Sequence, residues 1–312
     1  MIYRPKVAHV RGMKRWRMVL FIVCIPGAIG WTEEVVVRNV RPVAAALDVL
    51  ERRFHVPITY EDPPYLFEGD IEDVTAKVAR PEAIAAAKDR GDPPLVIRGM
   101  KERELRFDAP SGSSARDVKV AVSNILNANN SSDRPPAIFG VKEIGGRYHV
   151  YPVRIKTGAG DYVSHSSVLD VRISLEPKAR DCREFWMDFC RALARAANLI
   201  IELGGGASGG GDCRTKISGQ DVTARQMLLD FLAEREASPA AWGKYSWLLL
   251  NDAMTPAAFG LNPVMVPVDS STEAEPSADS ARINRLRETR VVEHNTGQNR
   301  WDGGMSEFMA PR

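Results

Sequence analysis

Two small α+β modules in tandem, each a short mixed sheet with two helices packed on it, are the fold this sequence predicts. Three observations carry the expectation. The stretch from Ile173 to Asn251 alternates in the order strand, helix, strand, strand, helix, strand. A looser run of the same order precedes it between Glu34 and Val153. At 312 residues the chain has room for about two domains of ordinary size. The expected organisation is a leader over 1–30, a first module over 31–157 with an insertion at about 63–99, a second module over 158–267 and a disordered tail over 268–312.

Hydrophobic residues make up 44% of the chain and charged ones 26%, enough apolar material for buried cores. With 42 basic and 40 acidic side chains the formal charge is only +2, so no concentrated basic face is on offer to nucleic acid. Aromatics, at 7%, supply no stacking platform for single strands.

The amino terminus reads as a leader. Lys14, Arg15 and Arg17 precede the apolar run Met18 to Ile25, which stops at Pro26-Gly27 before Ala28-Ile29-Gly30. A basic region, a short apolar core and a small-x-small site describe a secretory signal peptide cleaved near Gly30. The run is shorter than the roughly 20 residues a spanning helix needs. A periplasmic or secreted location is therefore expected, with an inner-membrane anchor over 18–30 as the alternative, and Met13 is a second candidate start.

The elements follow in order. Glu34-Val-Val-Val-Arg38 is a β-branched run that predicts a strand. Pro42 sits where a helix starts without loss, and Val43, Leu47, Leu50 and Phe54 form its apolar stripe. Ile58-Thr-Tyr60 is the strand behind it. The insertion holds an acidic cluster, Glu68, Asp70, Glu72 and Asp73, expected as a solvated loop because its spacing fits no calcium loop, and a helix-like stretch at Pro81–Lys88. Leu95–Ile97 and Glu104–Phe107 alternate as strands do. Ser114 opens a helix with the stripe Val118, Val122 and Ile125, ending in the turn-formers after Asn127; Asn129 and Asn130 each fit the short N-glycosylation pattern. Tyr148–Val153 is a further strand, and the polar stretch Arg154–Asp170 is the expected joint.

The second module opens with Ile173–Leu175 and a helix over Asp181–Ala197, followed by strands at Leu199–Leu203 and Lys216–Ser218. Thr223 and Gln226 make a capping-box signature for the last helix, and Tyr245–Leu250 closes the module. In an exported protein the three remaining cysteines meet an oxidising space. Cys190 falls on the apolar stripe of its helix and is the expected buried thiol; Cys182 and Cys213 are the expected disulfide.

Ala46–Tyr60 aligns with Phe189–Leu203 without a gap, placing Leu50 on Leu193, His55 on Asn198 and Ile58 on Ile201. Ser114–Val118 likewise aligns with Thr223–Met227. On the residues Ile173–Ala179, Leu193–Ile201, Ile217–Thr223, Met227–Leu232 and Trp247–Leu250, the second module resembles the secretin N-terminal domains and the related short N-terminal domain of TonB-dependent receptors. That resemblance covers about a quarter of the chain well and implies protein contacts in the periplasm. No pore or barrel segment accompanies it in this sequence.

Chemistry is hard to find. There is no Gly-x-Ser-x-Gly, and the glycine run Gly204–Gly211 lacks the Lys-Ser/Thr and helix of a phosphate loop. Glu61 and Asp62 are both acidic, but neighbours on a strand point to opposite faces. No catalytic residue, cofactor or metal is expected. Tyr60, Glu61, Asp62 and Tyr65, at the mouth of the insertion, are the candidate partner-contact residues. The functional expectation is a non-catalytic envelope module that binds another envelope protein or itself, touching membrane only through its leader. The alternative is an exported, hydrolase-like enzyme.

Overall fold

In a computed structural model the described residues are 32–90, 96–112, 114–204, 213–237 and 243–266. The expected leader, most of the glycine run and the expected tail lie outside them. The first half runs β1 (Thr32–Asn39), α1 (Pro42–Phe54) and β2 (Ile58–Glu61). The insertion holds β3 (Ile71–Asp73), α2 (Thr75–Val78), α3 (Pro81–Asp89) and β4 (Arg98–Met100). Then come β5 (Arg103–Pro110), α4 (Ala115–Asn130), β6 (Ala137–Ile144), β7 (Arg147–Lys156) and the short β8 (Tyr162–Ser164). The second half is β9 (Arg172–Leu175), β10 (Arg180–Asp181), α5 (Cys182–Ala197), β11 (Ile200–Leu203), β12 (Arg214–Thr215), β13 (Gly219–Thr223), α6 (Ala224–Glu236), β14 (Tyr245–Asp252) and β15 (Thr255–Met265). The class is α+β, as expected.

The two halves repeat one topology. In the first, β1 pairs β5 antiparallel, β2 runs parallel to β7, and β7 pairs β6 antiparallel. In the second, β9 pairs β13, β11 runs parallel to β15, and β15 pairs β14. Even the strand prolines correspond. Pro152 and Pro263 sit where β7 and β15 run past the last paired residues of β2 and β11, so the missing N–H has no ladder to break.

The halves do not keep separate sheets. β14 lies parallel to β2, with Leu248 opposite Tyr60 and Leu249 opposite Glu61, giving one sheet in the order β11-β15-β14-β2-β7-β6. β14 is covered on both faces: Trp247 and Leu249 enter the core of the second half, Leu248 that of the first. That is why its sequence is a continuous apolar run rather than an alternation. The helices of the two halves therefore pack on opposite faces of the shared sheet. On one face Leu47, Leu50, Val118, Val122 and Ile125 meet Ile58, Tyr60 and Val150; on the other, Phe185, Phe189 and Phe231 meet Trp247, Phe259 and Leu261. Phe185 and Phe231 stack with centroids 4.0 Å apart, clamping α5 to α6.

The helix ends show how local chemistry sets the boundaries. α1 and α5 both stop on a left-handed residue, His55 (φ 52°) and Asn198 (φ 54°), whose N–H closes the last turn on Glu51 and Ala194. Ser114 and Asp117 form a reciprocal capping box, and so do Asp181 and Glu184. The box expected at Thr223 is only half made: Thr223 caps the Gln226 N–H, but the Gln226 amide donates to Asp230 instead.

Several expected boundaries move. Residues 216–218, expected as a strand, lie between β12 and β13, and the strand expected at Leu95–Ile97 lies instead at β4. β6 and β15, not anticipated, complete a terminal hairpin in each half. The joint at 154–170 is built rather than loose: it carries the end of β7, β8 and buried Ser167, Val168 and Leu169. Within the acidic cluster Asp70 is buried against Lys156 at 3.1 Å and Arg103 at 2.5 Å, so it anchors the insertion instead of facing water. Tyr65, Ile71 and Met100 close a small core there with Ala253 of the β14–β15 turn.

Cys182 and Cys213 form the disulfide, their Cα atoms 5.5 Å apart, beside the ladder of β10 with β12. Cys190 is the buried free thiol, and burial pushes its pKa up to about 12. Asn129 and Asn130 hold β6 in place: Asn129 donates to the Ala137 carbonyl, and Asn130 both donates to and accepts from the Phe139 backbone. Among the described residues no helix is long and apolar enough to cross a membrane.

Candidate functional site

The four residues singled out in the sequence, Tyr60, Glu61, Asp62 and Tyr65, do meet in space, but inside the molecule. They lie at the end of β2, where β14 of the second half covers it, and all four are buried. Alternation along β2 divides them between the two faces, as adjacent strand residues require.

On one face Asp62 is the hub. Its carboxylate accepts from Arg41 Nε at 2.5 Å, from the Tyr60 hydroxyl at 2.8 Å, from the Asn251 N–H at 3.0 Å and from the Tyr65 hydroxyl at 3.3 Å. Arg41 also donates to the Asn251 carbonyl at 2.6 Å. Burial alone would lower the Arg41 pKa, but the charge of Asp62 beside it outweighs that and holds the guanidinium firmly protonated. Burial and the same carboxylate push both phenols well above their ordinary range, so they stay donors. Asn251 extends the cluster to β15 by donating to the Pro256 and Ala258 carbonyls.

On the other face Glu61 accepts from the Ser167 hydroxyl at 2.6 Å and from Arg225 of α6 at 2.8 Å. Burial raises the Glu61 pKa, and Arg225 pulls it back. Arg225 reaches on to Asp170 at 3.1 Å, which Lys142 of β6 also holds at 2.9 Å. Burial would raise Asp170, yet these two cations leave its pKa below the usual value. Next to this cluster His149 stacks on Trp247 with centroids 5.2 Å apart and shares a 2.7 Å hydrogen bond with Thr59. Burial, helped by Arg225, depresses His149 to about 4, so its ring is neutral at physiological pH.

Chemically this arrangement is a lock. Each carboxylate is engaged by a cation, and donors from the second half reach both carboxylates of β2's end: the Asn251 N–H on Asp62 and Arg225 on Glu61. Breaking such a buried pair typically costs about 3–5 kcal/mol, because a charge is then left without compensation. No group of three or more potential ligands for a metal occurs among the described residues. None of the residues that line a cleft of about 240 Å³, among them Pro42, Arg103, Leu105, Asn129 and Pro136, belongs to either cluster.

The sequence did not reveal that Arg41, Asn251, Ser167, Asp170 and Arg225 would join the four. Their partners are 21 to 210 residues away, and no local spacing signals that distance. No family model, curated protein or solved structure matches the chain at a significant level.

Proposed function

We propose that this chain is an exported, non-catalytic module of a bacterial-type cell envelope that binds protein through the edges of its sheet. One observation carries the reading: the shared sheet ends in two strands, β6 and β11, that have no outer partner among the described residues. Apolar side chains stand exposed there, Val141 on β6 and Ile200 on β11. An open edge presents backbone donors and acceptors in a row, a ready template for an added strand. The polar clusters at the end of β2 serve on this reading to hold the halves together, and the binding surface moves from those four buried residues to the edges. The likeness of the second half to secretin N-terminal domains points the same way.

The test is chemical cross-linking of the full chain in envelope fractions, with Val141→Pro to close the β6 edge and with residues 63–99 deleted as a separate variant. Adducts that vanish with Val141→Pro support edge binding. Adducts that survive Val141→Pro but vanish with the deletion move the binding surface to the insertion. No adduct with any protein in the wild type would sink the reading.

A further inference from the structure

We infer that the open β6 edge accepts the β11 edge of a second copy of this chain, in the same parallel register by which β14 meets β2 inside the molecule. The inference rests on the reading of the sheet edges as working surfaces and names their partner.

The internal repeat supplies the template. β14 is the outer hairpin strand of the second half, and its counterpart in the first half is β6. β2 is the outer parallel strand of the first half, and its counterpart in the second is β11. The junction inside the chain therefore joins the hairpin edge of one half to the parallel edge of the other. A head-to-tail contact of this kind uses one copy of each edge and, among the described residues, leaves one of each without a partner strand.

The register carries over residue by residue. Val141 lies opposite Val150 as Leu249 lies opposite Leu261, and Tyr60 and Leu203 occupy matching places beside those partners. Leu248 opposite Tyr60 at the internal junction thus becomes Gly140 opposite Leu203 between copies. The backbone faces the right way too. The Phe139 N–H and carbonyl bond the Asn130 amide and so point away from β7, and Val141, two residues on, points to the same side. Its counterpart Leu249 uses that outward carbonyl to accept the Asp62 N–H at 2.8 Å. Asn130 blocks the edge only at Phe139, leaving a short open ladder from Gly140 onward, comparable with the two paired residues of the internal junction.

Burial at matching positions separates the used edge from the open one. Leu249 is 0% exposed and Val141 40%. Pro57 is buried, whereas its counterpart Ile200 is 51% exposed. What does not carry over is the polar lock: at the matching positions Arg41 and Asn251 are replaced by Glu184 and Glu143. The contact between copies consists of backbone ladder and apolar cover alone, so it is reversible and weaker than the junction within the chain. Because it is head-to-tail, it propagates beyond the dimer.

Sedimentation of the full chain over a rising concentration series tests this. The wild type is expected to gain mass with concentration and to pass the dimer. Val141→Pro, which removes only an outward N–H, and Ile200→Lys, which charges the surface to be covered, are each expected to stay monomeric. Mixed together, the two variants are expected to form a species of two chains and stop, since each retains the edge the other has lost. Circular dichroism checks the fold; if Val141→Pro unfolds, Val141→Lys takes its place in every arm. A wild type that stays monomeric throughout overturns the inference, and so does an Ile200→Lys protein that dimerises by itself, which would mean β6 pairs with β6. If the chain stays monomeric yet still gives edge-dependent adducts in envelope fractions, this inference fails while the proposed function stands.

Discussion

Replacing Glu51 by glutamine removes one ionisation and leaves its surroundings almost unchanged, which makes it a clean probe of the junction. Glu51 lies in the last turn of α1, buried, with its carboxyl accepting the Ile58 N–H at 2.9 Å. That N–H belongs to the side of β2 that faces β14. Burial pushes the Glu51 pKa up to about 8 from an ordinary 4.5, with the Ile58 bond pulling partly back. Between those values the folded chain keeps a proton that the unfolded chain has released. Stability is therefore fully present below pH 4.5 and falls as pH rises, by up to about 1.4 kcal/mol per unit. From about pH 5 to about pH 8 the loss sums to about 3–4 kcal/mol, a large part of a stability of roughly 5–15 kcal/mol. Urea unfolding of wild type and Glu51→Gln at unit steps of pH reads the difference directly. Comparison with the variant is needed because His149 titrates with the opposite sign in the acid half of the window. The wild type is expected to lose about 3–4 kcal/mol relative to Glu51→Gln across this range. Parallel stability profiles for the two proteins would show that the carboxyl is ionised in the fold and refute the reasoning.

Three further outcomes follow from the same geometry. His149, depressed to about 4 from 6.5, contributes stability present above pH 6.5 and lost as pH falls toward 4; His149→Gln should flatten that acid limb by up to about 3 kcal/mol in the same urea series. Cys182→Ser with Cys213→Ser should lower stability by about 3–4 kcal/mol for a closed loop of 31 residues, and in the chain from residue 31 onward a thiol reagent should find a single free cysteine, reachable only after denaturation. Asp62→Ala strands Arg41 and should cost about 3–5 kcal/mol, with Asp62→Asn costing less because an acceptor remains. Equal losses for those two variants would mean that packing, not charge, holds this face.

Local signals were legible wherever the physics is local. The stripe of α1, the Pro42 start and the helix starts at Ser114, Asp181 and Thr223 depend on residues a few positions apart. The disulfide was legible for a different reason: Cys190 falls on the apolar stripe of its helix, which leaves Cys182 and Cys213, 31 residues apart, to pair. The β6–β7 hairpin was legible too, although the expectation passed over it. Ile144-Gly-Gly-Arg147 places two glycines at φ 60° and 71°, where a tight antiparallel turn requires positive φ twice. β15 was hidden by Pro256 and Pro263, which lower strand propensity but here sit at positions the ladder tolerates. The shared sheet had no local signal, because the β14–β2 ladder joins Leu248 to Tyr60 across most of the chain. One trace of it was present: Trp247-Leu-Leu-Leu250 lacks the alternation of a one-sided strand.

The repeat becomes most informative where it fails. Along the matched elements apolar positions agree: Leu50 with Leu193, Ile58 with Ile201, Val150 with Leu261. Several of the positions that change character lie where the halves touch. Glu51, which satisfies the Ile58 N–H beside β14, is matched by Ala194. Tyr60, which bonds Asp62, is matched by Leu203, and His149, stacked on Trp247, by Gly260. Core positions answer to packing within a half and keep their apolar type. Positions at the junction meet the other half, and each has taken a side chain suited to that one neighbour. A buried polar group is costly unless it is satisfied, so these side chains are stable only when the two halves are docked in this one register. The apolar ladder brings β14 to β2, and the polar residues fix which residue faces which. The open edges at β6 and β11 retain the ladder without the polar residues, which is the physical difference between a junction that is permanent and one that can be made and broken.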